Sequence, residues 1–336
     1  MMTSTSAGSL ATRRLAVTAL ALSLFGAPAL SSQMPLPPKP PAKPARAAVP
    51  PAGAKAFPTA QAAASALVEA ASNFDEPALA AIFGPDGKDL VSTEDAVRDK
   101  SYALAFSALA KERNAVVVKS TVPDRATLEV GPERWPLPVP LVRIAGKWYF
   151  DARAGHDEIL FRRVGGNELD AIDVCRGFVE AQKEYALDLH DDSHIHQYAQ
   201  RIISTTGKQD GLYWKNTDGT DGGPIGEAVA RAIEEGYAAQ PASAYHGYLF
   251  SVLKGQGPAA PLGELDYVIE DAMIGGFALI ATPAEYGVTG VQTFIVNHEG
   301  IVYQKDLGPD SVALARQITR YDPDKTWTRT NDAWAK

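Results

Sequence analysis

The amino-acid sequence predicts an α+β protein with two domains, in each of which helices pack on an antiparallel β-sheet. Apolar residues recur first at helical spacing and then at strand spacing, and this order occurs twice along the chain. The predicted strands are short and are separated by glycine-containing turns, which favours antiparallel pairing. A chain of 336 residues, of which 46% are hydrophobic, is also long enough to bury two cores of ordinary size.

Residues 1–31 have the organisation of a secretory signal peptide. Arg13 and Arg14 precede an apolar run at 15–24, and small residues at 27–31 would supply the cleavage zone. The run is shorter than the roughly 20 residues that a transmembrane helix needs. The arginine pair leaves twin-arginine export as an alternative to the general secretory route. We therefore expect a periplasmic or secreted protein without a membrane span after cleavage.

Residues 32–58 are rich in proline and alanine, which predicts a semi-rigid, solvated linker. The first 56 residues contain six basic and no acidic side chains, so the rest of the chain carries 26 basic against 40 acidic residues, a formal charge of −14. Such a surface repels phosphate groups, which argues against nucleic acid and anionic membranes as partners. Cys175 is the only cysteine, so neither an intramolecular disulfide nor a cysteine-based zinc site is expected.

The first domain is predicted over residues 59–160, with helices before strands. Helices are expected at 60–72, 76–83 and from Thr93 to about Arg113, and strands at 116–118, 126–130, 139–143 and 148–150. On the third helix, the positions expected in the core are Val97, Leu104, Phe106 and Leu109. Folds of the nuclear-transport-factor-2 and cystatin type share this order of helices and curled sheet, so the domain resembles them.

The second domain is predicted over residues 161–325, followed by a tail at 326–336. Its expected elements are a helix from Asn167 to about His190 that begins after Gly165 and Gly166, and a shorter helix that carries Tyr198, Ile202 and Ile203 and ends at 205–207. A further helix at 225–237 and strands from residue 245 onward follow. Residues 275–310 predict a three-stranded antiparallel meander. Runs of period two at 277–281 and 294–298 lead to the hairpin signal at 297–300, and a third apolar run at 301–303 follows it.

Two sets of motifs carry family resemblances. The stretches FGPDGKDLVS at 83–92, WPLPVPLVRIAGKWYFD at 135–151 and YHGYLFSVLKGQGPAAP at 245–261 occur in order with several others. They resemble the exported bacterial family catalogued as domain of unknown function 2950, over about residues 59–325. This resemblance implies export but no chemistry.

The helix NELDAIDVCRGFVEAQKEY at 167–185 and the segment GFALIATPAEYGVTGVQTFIVNHEGIVY at 276–303 resemble the globular heads of type IV pilins and pseudopilins. The long apolar helix of a pilin spine is missing, because a whole α+β domain precedes these motifs. The resemblance therefore implies a pilin-like head used as a periplasmic module and not a fibre subunit.

Two loops contain candidate metal ligands. The denser cluster consists of His190, Asp191, Asp192, His194 and His196. Histidines two residues apart could reach one ion only in an extended loop, since they point apart on a helix. Asn216, Asp218 and Glu227 imitate the oxygen spacing of an EF-hand, although Asp221 stands where that motif needs glycine. Calcium and zinc are thus candidate cofactors, with solvated polar loops as the alternative interpretation.

Candidate binding residues are Tyr245, His246, Tyr248 and His298. A histidine between aromatic residues in a strand could line a groove, but alternation of core and edge aromatics explains the same pattern. His298 falls in the predicted hairpin turn, which alone can account for it. The serines lack a Gly-x-Ser-x-Gly elbow, and Cys175 is expected in the middle of a helix, so no catalytic signature is recognised.

The preferred function is a non-catalytic binding or assembly module of the Gram-negative envelope, whose partner is an envelope protein or a small ligand. The first alternative is a periplasmic hydrolase with its site in the cleft between the domains, where His246 or His298 would act as the base. The second alternative is a divalent-cation-binding protein that uses one of the two polar loops.

Overall fold

The computed structural model describes residues 49–92, 95–227, 229–231, 233 and 244–330. Within this part, the chain divides between Ile159 and Leu160 into two compact units. Both units contain helices and antiparallel sheets, which confirms the α+β class. The predicted signal peptide, most of the linker and the end of the tail lie outside the described residues. No described helix is both long enough and apolar enough to cross a bilayer.

The first unit places helices before strands, as predicted. Its helices are α1 (Ala60–Asn73), α2 (Glu76–Phe83), α3 (Lys88–Val91) and α4 (Ala96–Glu112), with a 3-10 turn at Pro85–Gly87. Its strands are β1 (Asn114–Val118), β2 (Arg125–Val130), β3 (Trp135–Pro136), β4 (Leu141–Ile144) and β5 (Lys147–Phe150). The sheet order is β1-β2-β4-β5, with β3 paired to β2.

Local chemistry explains where these helices begin. Side-chain oxygens of Thr59, Asp75 and Asp95 accept backbone N–H hydrogen bonds from the first turns of α1, α2 and α4. Phe57 lies within the predicted linker, yet it is buried and pairs with Trp148 of β5. The folded part of the chain therefore begins before residue 59.

The predicted core face of α4 is partly wrong. Val97 and Leu104 are 82% and 42% exposed, whereas Phe106 is buried. The buried face also contains the small residues Ala103 and Ala110. Because small side chains allow the close packing of α1 against α4, the larger apolar residues mislead a search for the core face. Thr93 and Glu94, the predicted start of this helix, lie outside the described residues.

The long helix α5 (Ala152–Tyr185) leads from the first unit into the second. The second unit contains a small sheet of β6 (Arg201–Ile203), β7 (Gly211–Lys215) and β8 (Asp221–Gly222). Its two minor hairpins are β10 (Gly255–Gln256) with β11 (Leu265–Asp266), and β12 (Val268–Ile269) with β13 (Ala272–Met273). A short helix, α6 (Ser311–Ala315), lies near the end of the described chain.

The main sheet of the second unit consists of β9 (Tyr248–Leu253), β14 (Ala278–Pro283), β15 (Gln292–Asn297), β16 (Tyr303–Asp306) and β17 (Thr328–Arg329). The strand order is β17-β16-β15-β14-β9, and all neighbours are antiparallel. Strands β14 to β16 confirm the predicted meander. Strand β17 lies in the predicted tail, so the sheet extends beyond residue 325.

Both faces of the main sheet are covered. Phe178 of α5 packs edge-on against Phe277, with the ring centroids 5.6 Å apart. On the opposite face, Tyr321 packs against Tyr303 of β16, and α6 contacts β14. The central strands are therefore buried on both sides, which explains why all six residues of β14 are buried.

The predicted helix boundary at residue 167 is wrong, because α5 continues through Gly166. A methyl group added to Gly166 would meet no atom within 4 Å, so no close contact requires glycine there. The helix also ends at Tyr185 and not near His190. Glycine weakens a helix by about 0.5–1 kcal/mol relative to alanine, too little to break a helix whose following turns are buried.

The helix predicted at 198–203 is also wrong, because Arg201–Ile203 form strand β6, which pairs in parallel with β7. The amide of the buried Gln182 accepts from the Ala199 N–H and donates to the Ala199 carbonyl, both at 2.8 Å. This pair of bonds holds the chain extended beside α5. Three apolar positions are too few for their spacing to distinguish a helix from a strand. Of the helix predicted at 225–237, residues 227, 229–231 and 233 are helical, residues 225 and 226 are not, and the others are not described.

Replacing Gly166 with alanine tests the continuity of α5. Alanine loses less conformational freedom than glycine on folding, so the free energy of unfolding should rise by about 0.5–1 kcal/mol. Urea denaturation of Gly166→Ala and of the unchanged protein measures this difference. If the chain turned at this position, alanine would lower the stability instead.

Gly290→Ala is the matched control, because the same substitution should lower the free energy of unfolding there. Its methyl group would approach the Tyr248 hydroxyl to 2.2 Å, in a buried region where neither group can move freely. The free energy of unfolding should fall by about 1–3 kcal/mol, as for other overpacked sites.

Candidate functional site

The candidate site lies at the end of the main sheet where β9 begins and β14 ends. Tyr245 and Tyr248 exchange two backbone hydrogen bonds of 3.1 and 3.0 Å around a two-residue turn. Both residues in the turn, His246 and Gly247, have positive φ angles of 49° and 75°, as in a type I′ hairpin. The expectation that His246 lies in a strand is therefore wrong.

Close packing explains why the turn forms at this place. A side chain at Gly247 would approach the Asn167 amide to 2.7 Å and Thr289 to 2.8 Å. The Asn167 amide donates a 2.8 Å hydrogen bond to the Thr289 carbonyl. The turn thus packs against α5 and against the connection between β14 and β15, where only glycine fits.

His246 contacts the carboxylate of Asp170 on α5. The distance from His246 Nδ1 to Asp170 Oδ2 is 2.8 Å, and the two side chains are 42% and 48% exposed. The Tyr245 ring lies edge-on to His246 with the centroids 4.4 Å apart. Burial, and secondarily the charge of Asp170, raises the pKa of Tyr245. We call Asn167, Asp170, Tyr245 and His246 the turn surface.

Glu168, which was not predicted as a site residue, is buried beneath the turn surface. Its Oε1 accepts hydrogen bonds from the backbone N–H groups of Val291 (2.9 Å) and Gln292 (3.0 Å), where β15 begins. Burial raises the pKa of Glu168, while these two hydrogen bonds lower it and the Asp306 charge adds to the rise. Glu168 therefore connects α5 to β15 through these two hydrogen bonds. Burial of its charged carboxylate costs free energy, and this cost depends on pH.

The helical spacing could have revealed Glu168. Ile172, Cys175, Val179 and Gln182 are buried along one stripe of α5, and Glu168 precedes them by one turn on that stripe. Its neighbour Leu169 is apolar and would be expected on the buried stripe by residue type, but Leu169 is only partly buried. The spacing of Glu168 relative to these buried residues was therefore the feature of the sequence that could have predicted its burial.

Tyr248 is a buried support and not part of the surface. Its hydroxyl donates a 2.8 Å hydrogen bond to the Gln292 carbonyl, and its ring packs near Phe294. Burial raises its pKa well above the ordinary value for tyrosine, so the phenol remains neutral at physiological pH. The structure therefore brings Tyr245 and His246 together at the surface and places Tyr248 below them.

His298 lies at the opposite end of the main sheet. Tyr248 pairs with Pro283 at one end of β14, whereas Asn297, the residue before His298, pairs with Ala278 at the other end. The His298 ring packs against Tyr267 and Phe277. Burial lowers its pKa, and its buried Nδ1 has no hydrogen-bond partner among the described residues. His298 and His246 thus do not share a site.

Side chains of the first predicted metal loop form hydrogen bonds that hold the loop in place. His190 is buried, stacks on Tyr185 with centroids 3.8 Å apart, and donates from Nε2 to the Tyr185 carbonyl. Both Asp191 carboxylate oxygens accept from the Gln209 N–H at 3.0 Å. His196 donates from Nδ1 to the Ala186 carbonyl. His190 is the buried member of this cluster, whereas Asp191, Asp192, His194 and His196 are exposed.

The oxygens of the second predicted metal loop are also held by protein groups. The hydroxyl and N–H of Thr220 donate to Asp218 and lower its pKa, and the Asn216 amide donates to the same hydroxyl. Glu227 pairs with Arg231 and Lys215, and these partners, Arg231 first, lower its pKa. In the part of the chain that the structure covers, no group of three or more His, Cys, Asp or Glu residues could hold a metal ion.

Cys175 is fully buried in α5, and burial raises the pKa of its thiol to about 12. The thiol is therefore protonated at neutral pH and is a poor nucleophile. Its role is packing against the main sheet.

The family is decided by the match of residues 54–330 to one family model, which is described as "Protein of unknown function (DUF2950)". The chain belongs to this family. The match includes both compact units and every candidate residue discussed above. Neither the curated proteins nor the solved structures contain a significant match. Membership in the DUF2950 family assigns no activity, so the function must be argued from the geometry.

Replacing Glu168 with glutamine tests whether the buried carboxylate couples stability to pH in this DUF2950 protein. Because the pKa of Glu168 is raised in the folded chain, the folded state retains a proton that the unfolded chain has released. The stability contribution is complete below the ordinary pKa of 4.5, and it is lost as the pH rises through the raised pKa. The stability of Glu168→Gln relative to the unchanged protein should therefore increase from about pH 4 to about pH 7.

Urea denaturation at several pH values measures this change. Glu180→Gln is the matched control, because Glu180 is an exposed acid on the same helix, paired with Lys183 at 3.3 Å. The difference in the free energy of unfolding between Glu180→Gln and the unchanged protein should change little across the same pH range. A pH-independent difference for Glu168→Gln would contradict the prediction.

Proposed function

We propose that this protein is an exported component of the Gram-negative envelope that acts as a non-catalytic binding or assembly module. The turn surface is its contact site. The observation that carries this proposal is the combination of exposure and rigidity at Tyr245 and His246. Their side chains are accessible, whereas the backbone that presents them is fixed by Gly247, Glu168 and the buried Tyr248. A preorganised polar and aromatic surface is suited to recognition, because binding then costs little ordering entropy.

The architecture of the second unit supports an assembly role. The second half of α5 packs across an antiparallel sheet whose central strands form a meander. A helix laid across such a sheet is the arrangement that the resemblance to pilin heads implies. The helices and five-stranded sheet of the first unit similarly support the resemblance to the nuclear-transport-factor-2 and cystatin type.

The sequence of residues 1–31 supports export to the periplasm or beyond, with a small ligand or an envelope protein as the partner. The acidic charge of the remaining chain favours a neutral or basic partner. Because Cys175 is alone and buried, oxidation in that compartment would form no intramolecular disulfide.

Capture from a periplasmic extract tests the binding proposal. Tagged full-length protein should recover a specific partner, and both His246→Ala and Asp170→Asn should reduce that recovery at least about tenfold, as expected for contacts at the centre of an interface. His194→Ala is the matched control, because it removes another exposed histidine of the same unit. Equal recovery by all variants would reject the turn surface as the contact site.

One observation favours a hydrolase as the second candidate. The 2.8 Å pair between His246 and Asp170 has the geometry of a histidine base oriented by a carboxylate. Among the described residues, however, no serine, threonine or cysteine forms a hydrogen bond with His246. Such a base would therefore have to activate a water molecule.

Turnover measurements distinguish the two functions. If the protein is a hydrolase, it should cleave a chromogenic ester, and Asp170→Asn should lower kcat/KM by about a hundredfold or more. His298→Ala should leave the rate unchanged, since His298 lies at the other end of the sheet. Absence of turnover by the unchanged protein would reject the hydrolase and leave the binding module.

A further inference from the structure

A groove of about 300 Å³ opens on the face of the main sheet that α5 does not cover. Its walls come from β15, β16 and the segment that follows α6, and they include Lys305, Ile318 and Trp327. This volume is at the lower end of the range for small-molecule sites. The groove uses none of the residues of the turn surface, so a ligand could bind in it whether or not the turn surface has the proposed function.

Most charged groups on the walls of the groove are already engaged. Arg320 donates to the carbonyls of Gln256 and Leu265 and pairs with the carboxylate of Asp266. The carboxylate of Asp322 accepts a 2.8 Å hydrogen bond from the Ala259 N–H. These two side chains hold neighbouring loops in place and offer little to a ligand.

Lys305 differs from them. Its ammonium group lies 5.6 Å from the centroid of the Trp327 ring, and it forms no ion pair or hydrogen bond with any residue that the structure describes. The nearby Asp324 carboxylate accepts hydrogen bonds from the N–H and hydroxyl of Thr326, and these, more than the charge of Lys305, lower its pKa. The groove therefore contains an ammonium group that is positioned by an aromatic ring and whose hydrogen-bond donors are uncommitted.

The remaining wall combines apolar contact with further donors. Ile318 and Trp327 form an apolar side. Gln317 and Thr319 are exposed at the rim, and their side chains make no hydrogen bond within the described ranges. An ammonium group beside an apolar wall matches a ligand that has one anionic end and a flat apolar body.

We propose that this groove binds a small carboxylate with a flat apolar body, and that Lys305 receives the carboxylate. A charge-assisted hydrogen bond from Lys305 fixes one end of the ligand, and Ile318 and Trp327 contact the other. The formal charge of the chain, −8, repels large polyanions. Among the described residues that line the groove, Lys305 supplies the one ammonium group, so a single anionic group is the charge that matches it.

Titration of the full-length protein with benzoate tests the proposal, with the Trp327 indole N–H signal in an NMR spectrum as the readout. Trp327→Phe identifies that signal by its loss. Benzoate should shift the signal in a saturable manner. Benzamide, which has the same ring without the charge, and inorganic phosphate, which has charge without the ring, should each bind at least about tenfold more weakly. Equal binding of benzamide or phosphate, or no saturable shift with benzoate, would overturn the proposal.

Variants of the groove provide the second arm of the test. Lys305→Gln should weaken benzoate binding about tenfold, whereas Lys325→Gln, which removes an exposed lysine that does not line the groove, should change it less than about twofold. Thr319→Glu leaves the packing of Lys305 on Trp327 intact and places a negative charge at the exposed rim, so it should also weaken benzoate binding several-fold. Unchanged benzoate affinity in Lys305→Gln or in Thr319→Glu would refute the assignment.

Discussion

The packing of α5 across the main sheet positions the turn surface of the second unit. Ile172, Cys175, Phe178 and Val179 bury one stripe of the helix against the strands. Full burial of a large apolar side chain is worth about 1.5–3 kcal/mol, so a few such residues outweigh the cost of glycine within the helix. Because the helix is held in this way, Asn167 and Asp170 reach the turn at His246, and Gln182 reaches the chain at Ala199.

Two polar side chains lie within this apolar stripe and determine the position of α5 along the sheet. Glu168 binds the backbone at the start of β15, and Gln182 forms a reciprocal pair with Ala199. A buried polar group is costly unless its partners are in place, so a shift of the helix along the sheet would leave both groups unpaired. The same bonds that stabilise one register therefore disfavour the others, and they fix the position of the turn surface relative to the sheet.

The main sheet separates three regions with different chemistry. The turn surface lies at one end and presents a histidine paired with an aspartate, whereas His298 lies at the other end, where burial keeps its ring neutral. The groove at Lys305 occupies the face opposite α5. Because these regions lie at opposite ends of the sheet or on its other face, they do not form one site. A single unit can thus offer independent surfaces for a partner and a small ligand.

The α+β class, the meander of β14 to β16 and the caps of the first helices could all be predicted from the amino-acid sequence alone. These features depend on local chemistry, such as period-two alternation, the glycine of the hairpin turn at 297–300 and the capping oxygens of Thr59 and Asp75. Tyr245 and His246 were likewise recognisable as candidates, because they stand out by residue type. The continuity of α5 through Gly166, the extended conformation of 201–203 and the pairing of His246 with Asp170 were decided by the tertiary structure. Each of these depends on contacts between residues distant in the chain or on burial of a whole helix face, and no short window of sequence contains that information.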